Sequence, residues 1–142
     1  MRLRTLFAIS VIAITTFLFV AACGRSGSSG GEGVIKSTTA DNLTVTLASD
    51  SGELRNGEND LMLSFTDPSG KPVEISAASL NFHMPAMGSM AEMNDGATLT
   101  TTDTPGKFRA KAKIEMAGTW EAQVKYQGPK GAGQAAMTVN AK

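Results

Sequence analysis

The feature that most restricts this chain is an alternation of apolar and polar side chains, with period two, from Asp41 to its end. Leu43, Val45 and Leu47 share one face while Thr44 and Thr46 take the other. Leu61, Leu63 and Phe65 alternate with Met62 and Ser64, and Leu80, Phe82 and Met84 with Asn81 and His83. The longest case sets Phe108, Ala110, Ala112, Ile114 and Met116 against Arg109, Lys111, Lys113 and Glu115. Trp120, Ala122, Val124 and Tyr126 then alternate with Glu121, Gln123 and Lys125, and Met137 and Val139 close the pattern. Successive side chains of a strand point to opposite faces, so each run is a strand with one buried face. The charged side chains of the Lys107–Met116 run form a solvated face, and Trp120 is a core anchor.

Turn-forming residues separate the runs: Asn56-Gly57, Asp67-Pro68-Ser69-Gly70, Asn94-Asp95-Gly96, Thr104-Pro105-Gly106, Ala117-Gly118 and Gly128-Pro129. About seven short strands in about 100 residues predict an all-β, immunoglobulin-like β-sandwich, with a small barrel as the alternative. No stretch after the N-terminal segment has helical periodicity.

Ahead of the strands the composition changes. Arg2 and Arg4 precede an apolar run from Leu6 to Val20, and Ala21-Ala22 lead into Cys23. This is the layout of a secretory signal peptide, with an apolar run shorter than the roughly 20 residues of a spanning helix. Val20-Ala21-Ala22-Cys23 resembles the bacterial lipobox, which implies removal of residues 1–22 and diacylation of Cys23. Gly24 stands where an aspartate would favour retention in an inner membrane, so the periplasmic side of the outer membrane is the expected location. Cys23 is the only cysteine, which leaves neither a disulfide nor a thiolate metal site in the mature chain. Residues 23–40 are read as the lipidated cysteine and a Gly/Ser-rich flexible linker, and 41–142 as the folded domain. Thirteen basic and thirteen acidic residues balance in the whole chain, and loss of Arg2 and Arg4 leaves the remainder slightly acidic. No basic patch points to nucleic acid.

One segment departs from the alternation: His83-Met84-Pro85-Ala86-Met87-Gly88-Ser89-Met90-Ala91-Glu92-Met93. Four of the eight methionines fall here at intervals of three, beside the only histidine. Pro85 and Gly88 oppose a helix, whereas an extended polyproline-II-like run would return every third side chain to one side. Thioethers are soft, uncharged donors suited to Cu(I), and an imidazole suits either copper oxidation state. The candidate metal ligands are therefore His83, Met84, Met87, Met90 and Met93, with copper as the metal. Each has a plainer alternative. Met84 continues the inward face of Leu80 and Phe82 and equally fits the core. Met87, Met90 and Met93 could form a pliable apolar surface, and His83 could be an ordinary surface histidine. Met62 and Met116 are read as packing residues, Met116 also as an outside candidate for the site.

Met84-Pro85-Ala86-Met87, Gly106-Lys107-Phe108 and Met116-Ala117-Gly118-Thr119-Trp120, with the upstream Asp67-Pro68-Ser69-Gly70-Lys71-Pro72-Val73, resemble the YtkA-like (FixH-like) domain from about Gly57 to Val139. The resemblance implies an immunoglobulin-like sandwich, extracytoplasmic placement and an association with copper handling, and FixH relatives are linked to assembly of copper-containing oxidases. The motif itself reaches Met84 and Met87. Met90, Met93 and His83 rest on spacing alone.

Two functions follow as expectations. The first is a membrane-anchored, copper-binding lipoprotein that captures or relays Cu(I), with a copper transporter, an efflux system or an oxidase-assembly factor as partner. The second is a metal-free interaction module that presents the same methionines to a membrane or efflux partner. An enzyme is not expected, because one histidine with no free thiol and no paired acidic motif gives no nucleophile and base. Glu92 and Asp95 are read as solvated or capping residues, with Glu92 placed to lie near a bound ion.

Overall fold

The computed structural model describes residues 32–142. The signal segment, Cys23 and most of the Gly/Ser stretch lie outside the described residues. Nine strands follow in order: β1 (Gly33–Ala40), β2 (Leu43–Ser49), β3 (Gly57–Thr66), β4 (Ala77–Met84), β5 (Met93–Gly96), β6 (Thr98–Thr101), β7 (Lys107–Ile114), β8 (Gly118–Gly128) and β9 (Gly131–Ala141). They form two antiparallel sheets, ordered β1-β2-β3-β7-β6 and β5-β4-β8-β9. Apart from β1, this is the immunoglobulin arrangement. β2-β3-β7-β6 take the places of strands A-B-E-D, and β4-β8-β9 those of C-F-G, with β5 beside strand C.

The inward faces meet as the alternation requires. Leu47, Leu63, Phe65, Phe82, Ile114, Trp120 and Val124 are all buried. Immunoglobulin domains of antibodies pin strands B and F with a disulfide. Here aromatic rings span the same gap: Phe65 on β3 lies 5.2 Å from Tyr126 on β8, and its ring meets Phe108 edge-on at 6.1 Å. On β7 the solvated face is as expected, with Arg109, Lys111 and Lys113 exposed between buried Phe108, Ala110, Ala112 and Ile114.

Two expectations change. The folded part begins before residue 41, since β1 occupies Gly33–Ala40, where the linker was expected to run. Asp41 and Asn42 supply its cause. Both adopt positive φ (49° and 67°), the backbone of a two-residue type I′ hairpin turn, and so fold β1 back onto β2. Ile35 and Ala40 then pack against the core. The strands number nine rather than about seven because β1, β5 and β6 are half-exposed elements with little apolar alternation of their own.

Candidate functional site

The methionine segment is a β-hairpin, not a helix or a polyproline-II run. β4 ends at Met84 because Pro85 has no N–H to continue the ladder. Across β4 and β5 the register pairs Asn81 with Gly96, Phe82 with Asp95, His83 with Asn94 and Met84 with Met93. The same register resumes beyond Pro85, where Met87 and Met90 bridge each other. Each donates its backbone N–H to the other's carbonyl, at 3.1 and 2.9 Å. Gly88 and Ser89 make the turn, with Gly88 at φ +57°, as the first central position of a type II′ turn requires. A spacing of three thus becomes two nested pairs, Met84 opposite Met93 and Met87 opposite Met90.

The pairs occupy different surroundings. Met84 is 2% exposed within the core, and Met93 is half-buried against it. The β4–β8 pairing runs as far as His83–Glu121, and the next residue of β8, Trp120, is 1% exposed in the same core. The Met84 methyl also reaches Gly118, where an added Cβ would come within 3.1 Å of Met84 Cε. Trp120 Nε1 donates to the Met116 carbonyl at 3.0 Å, and Met116 is itself half-buried against the core. The Met-Pro-x-Met and Met-x-Gly-x-Trp motifs therefore meet in space, and their meeting is packing. Met87 and Met90, by contrast, are 55% and 42% exposed, and with Val34 they are the exposed large apolar side chains among the described residues.

His83 is not gathered with the tip. The chain rises about 3.3 Å per strand residue, which sets His83 about 13 Å from Met87 along the hairpin. On the outer face of its sheet, His83 lies between Asn94 of β5 and Glu121 of β8. Its Nδ1 is 3.1 Å from Asn94 Oδ1. Asp95 takes a capping role, its Oδ2 accepting the Glu115 N–H at 3.1 Å and tying β5 to the loop after β7. Glu92 is exposed in the hairpin loop.

Residues around His83 and Met84 escaped the sequence reading because they come from other strands. Glu121, Gln123 and Asn94 have no local motif that links them to His83. The hairpin did carry a signal, since Gly-Ser between two short runs is a two-residue turn pair.

The opposite end of the sandwich holds a cavity of about 460 Å³ whose wall includes Asp41, Asp67, Tyr126 and Lys130. Its carboxylates are already engaged. Asp41 Oδ2 accepts the Tyr126 hydroxyl at 3.1 Å, and Asp67 Oδ1 accepts the Ser69 hydroxyl and the N–H groups of Ser69 and Lys71. Among the described residues no three His, Cys, Asp or Glu side chains gather as metal ligands.

A family model described as YtkA-like matches residues 37–125. Comparison with curated proteins and with solved structures returned no match. The matched span begins inside β1 and ends within β8, and it contains the whole methionine hairpin.

Proposed function

Since the chain belongs to the YtkA-like family, we propose that it is a lipid-anchored, extracytoplasmic protein that binds Cu(I) as cargo, in copper capture, relay or tolerance. Met87 and Met90 at the hairpin tip take the ion. The observation that carries this reading is the pairing of those two residues across a two-residue turn, both open to solvent. Directly opposed strand residues hold their Cβ atoms about 5 Å apart, within which two flexible thioethers can close on one soft ion. Thioethers need lose no proton to bind and discriminate against Mg and Ca. Half-buried Met93 is a third sulfur three residues from Met90, and Glu92 adds a negative charge in the same loop. Lipidation of Cys23 would hold the domain at a membrane surface, where a copper transporter, efflux system or oxidase-assembly factor can receive the ion.

The test is titration of the full chain in detergent with Cu(I), under reducing conditions and against a chromophoric Cu(I) chelator. The chain is expected to withdraw copper from the chelator, and M87L/M90L is expected to abolish this. Failure to compete, or unchanged affinity in the double variant, overturns the proposal.

The exposure of Met87 and Met90 also supports the metal-free reading, a pliable apolar surface for a partner. Leucine keeps the apolar area and removes the sulfur. A leucine variant that retains its cellular activity favours the partner surface, and one that loses it favours the metal.

A further inference from the structure

His83 is the candidate ligand that the methionine tip leaves unused, and its surroundings have a chemistry of their own. The register places it directly opposite Glu121 on one side and Asn94 on the other. Asn94 Oδ1 accepts from Asn81 Nδ2 at 3.3 Å as well as lying 3.1 Å from His83 Nδ1. An oxygen that accepts from both neighbours puts the ring proton on Nδ1 and the lone pair on Nε2. Among the described residues Nε2 has no hydrogen-bond partner. The carboxylate opposite is held in a matching way, with Gln123 Nε2 donating to Glu121 Oε1 at 2.7 Å and Oε2 left without a partner among the described residues. Each donor is therefore oriented by a neighbouring amide. This is the outer support that metal-binding histidines and carboxylates commonly have.

We propose that His83 Nε2 and Glu121 Oε2 form a second metal site, for a divalent ion of the Zn(II) or Cu(II) class, separate from the thioether tip. An imidazole nitrogen and a carboxylate oxygen suit such ions, whereas Cu(I) prefers sulfur. Cβ atoms of directly opposed residues lie about 4.5–5.5 Å apart, close enough for both side chains to reach one ion. Two protein donors leave coordination positions open to water or to a ligand from a partner. The site depends on the His83 surroundings and not on the Cu(I) reading, so either can fail alone.

His83 is the only histidine, so the ring nitrogen resonances of the untagged full chain in detergent need no assignment. In the metal-free chain, nitrogen NMR is expected to show the proton on Nδ1, and Zn(II) alone is expected to shift Nε2. His83→Gln is expected to abolish the Zn(II) affinity measured by calorimetry. Glu121→Gln should lower it at least about tenfold, and Asn94→Ala about 10- to 100-fold, the usual range for loss of an orienting partner. M87L/M90L should leave it unchanged. All five substituted positions are exposed or half-buried, and thermal melts of the four variants check that the fold is kept. A proton on Nε2 in the metal-free chain, Zn(II) affinity that survives His83→Gln, or affinity lost with the tip leucines overturns the proposal.

Discussion

The two methionine pairs of the β4–β5 hairpin share a residue type and a register, yet they have opposite surroundings. Met84 and Met93 sit over the end of the sandwich, where the Met84 methyl still has Gly118 of β8 beside it. Met87 and Met90 sit past Pro85, where the hairpin has left the sheet. A buried thioether is a gap-filler whose sulfur already has neighbours, and an exposed one keeps its lone pairs free. Position along the hairpin therefore separates packing from exposure. A run of four equivalent methionines becomes one pair packed on the core and one pair open to solvent.

The largest effect that could break this division is in stability. Met84→Ala removes a side chain that is 2% exposed and is expected to cost about 2–5 kcal/mol in urea unfolding. Met87→Ala is expected to stay within about 0.5 kcal/mol of the parent, as substitutions on an open surface do. Equal losses at both positions would mean that the tip also packs in solution, and the distinction would collapse. Met84→Leu nearly conserves volume and should cost less than about 1.5 kcal/mol.

A smaller effect sharpens the same point. Gly118 has φ +140°, and a methyl group there would press on Met84 Cε at 3.1 Å. Gly118→Ala is expected to cost about 1–3 kcal/mol from the strained backbone, with the methionine contact adding to it. Combining it with Met84→Ala should give less than the sum of the single losses, with a coupling of about 0.5–3 kcal/mol for residues in contact. The same cycle with Met87→Ala in place of Met84→Ala should be additive. Coupling to Met87 instead would place the tip sulfur against β8.

How much of this was legible depended on whether the governing contact was local. The alternation from Phe108 to Ile114 placed a strand and its buried face correctly, since period two is a property of one strand alone. β1 was missed because Gly33–Ala40 has weak alternation and its pairing is imposed by the Asp41-Asn42 turn. The methionine spacing was visible, but its meaning turned on a two-residue hairpin that folds intervals of three into opposed pairs. His83 was grouped with its sequence neighbours, although the sheet sets it beside Glu121, thirty-eight positions away in the numbering. Cross-strand partners of this kind have no signature in a single run of residues.

The smallest expected effect concerns pH, and it separates thioether binding from the stability of the frame. Asp67, in the turn after β3 at the other end of the sandwich, accepts hydrogen bonds from the Ser69 hydroxyl and the N–H groups of Lys71 and Ser69. These hold its pKa below the ordinary carboxylate value. A carboxylate with a lowered folded pKa stabilises the protein above its unfolded pKa, and that stabilisation is lost as pH falls through the folded one. Stability should therefore be flat from pH 7 to about 5 and decline below the carboxylate range near pH 4, and Asp67→Asn should make the decline shallower. Asp67 lies in a surface turn open to solvent on one side, so its share is modest. Met87 and Met90 have no proton to gain over the same range. Cu(I) affinity of the folded chain should then stay constant between pH 7 and 5 while a chelator of known protonation provides the reference. A fall of about tenfold per pH unit would mean that one proton competes with the metal. The tip would then include a titrating ligand, and the boundary drawn between the methionine pair and its neighbours would have to move.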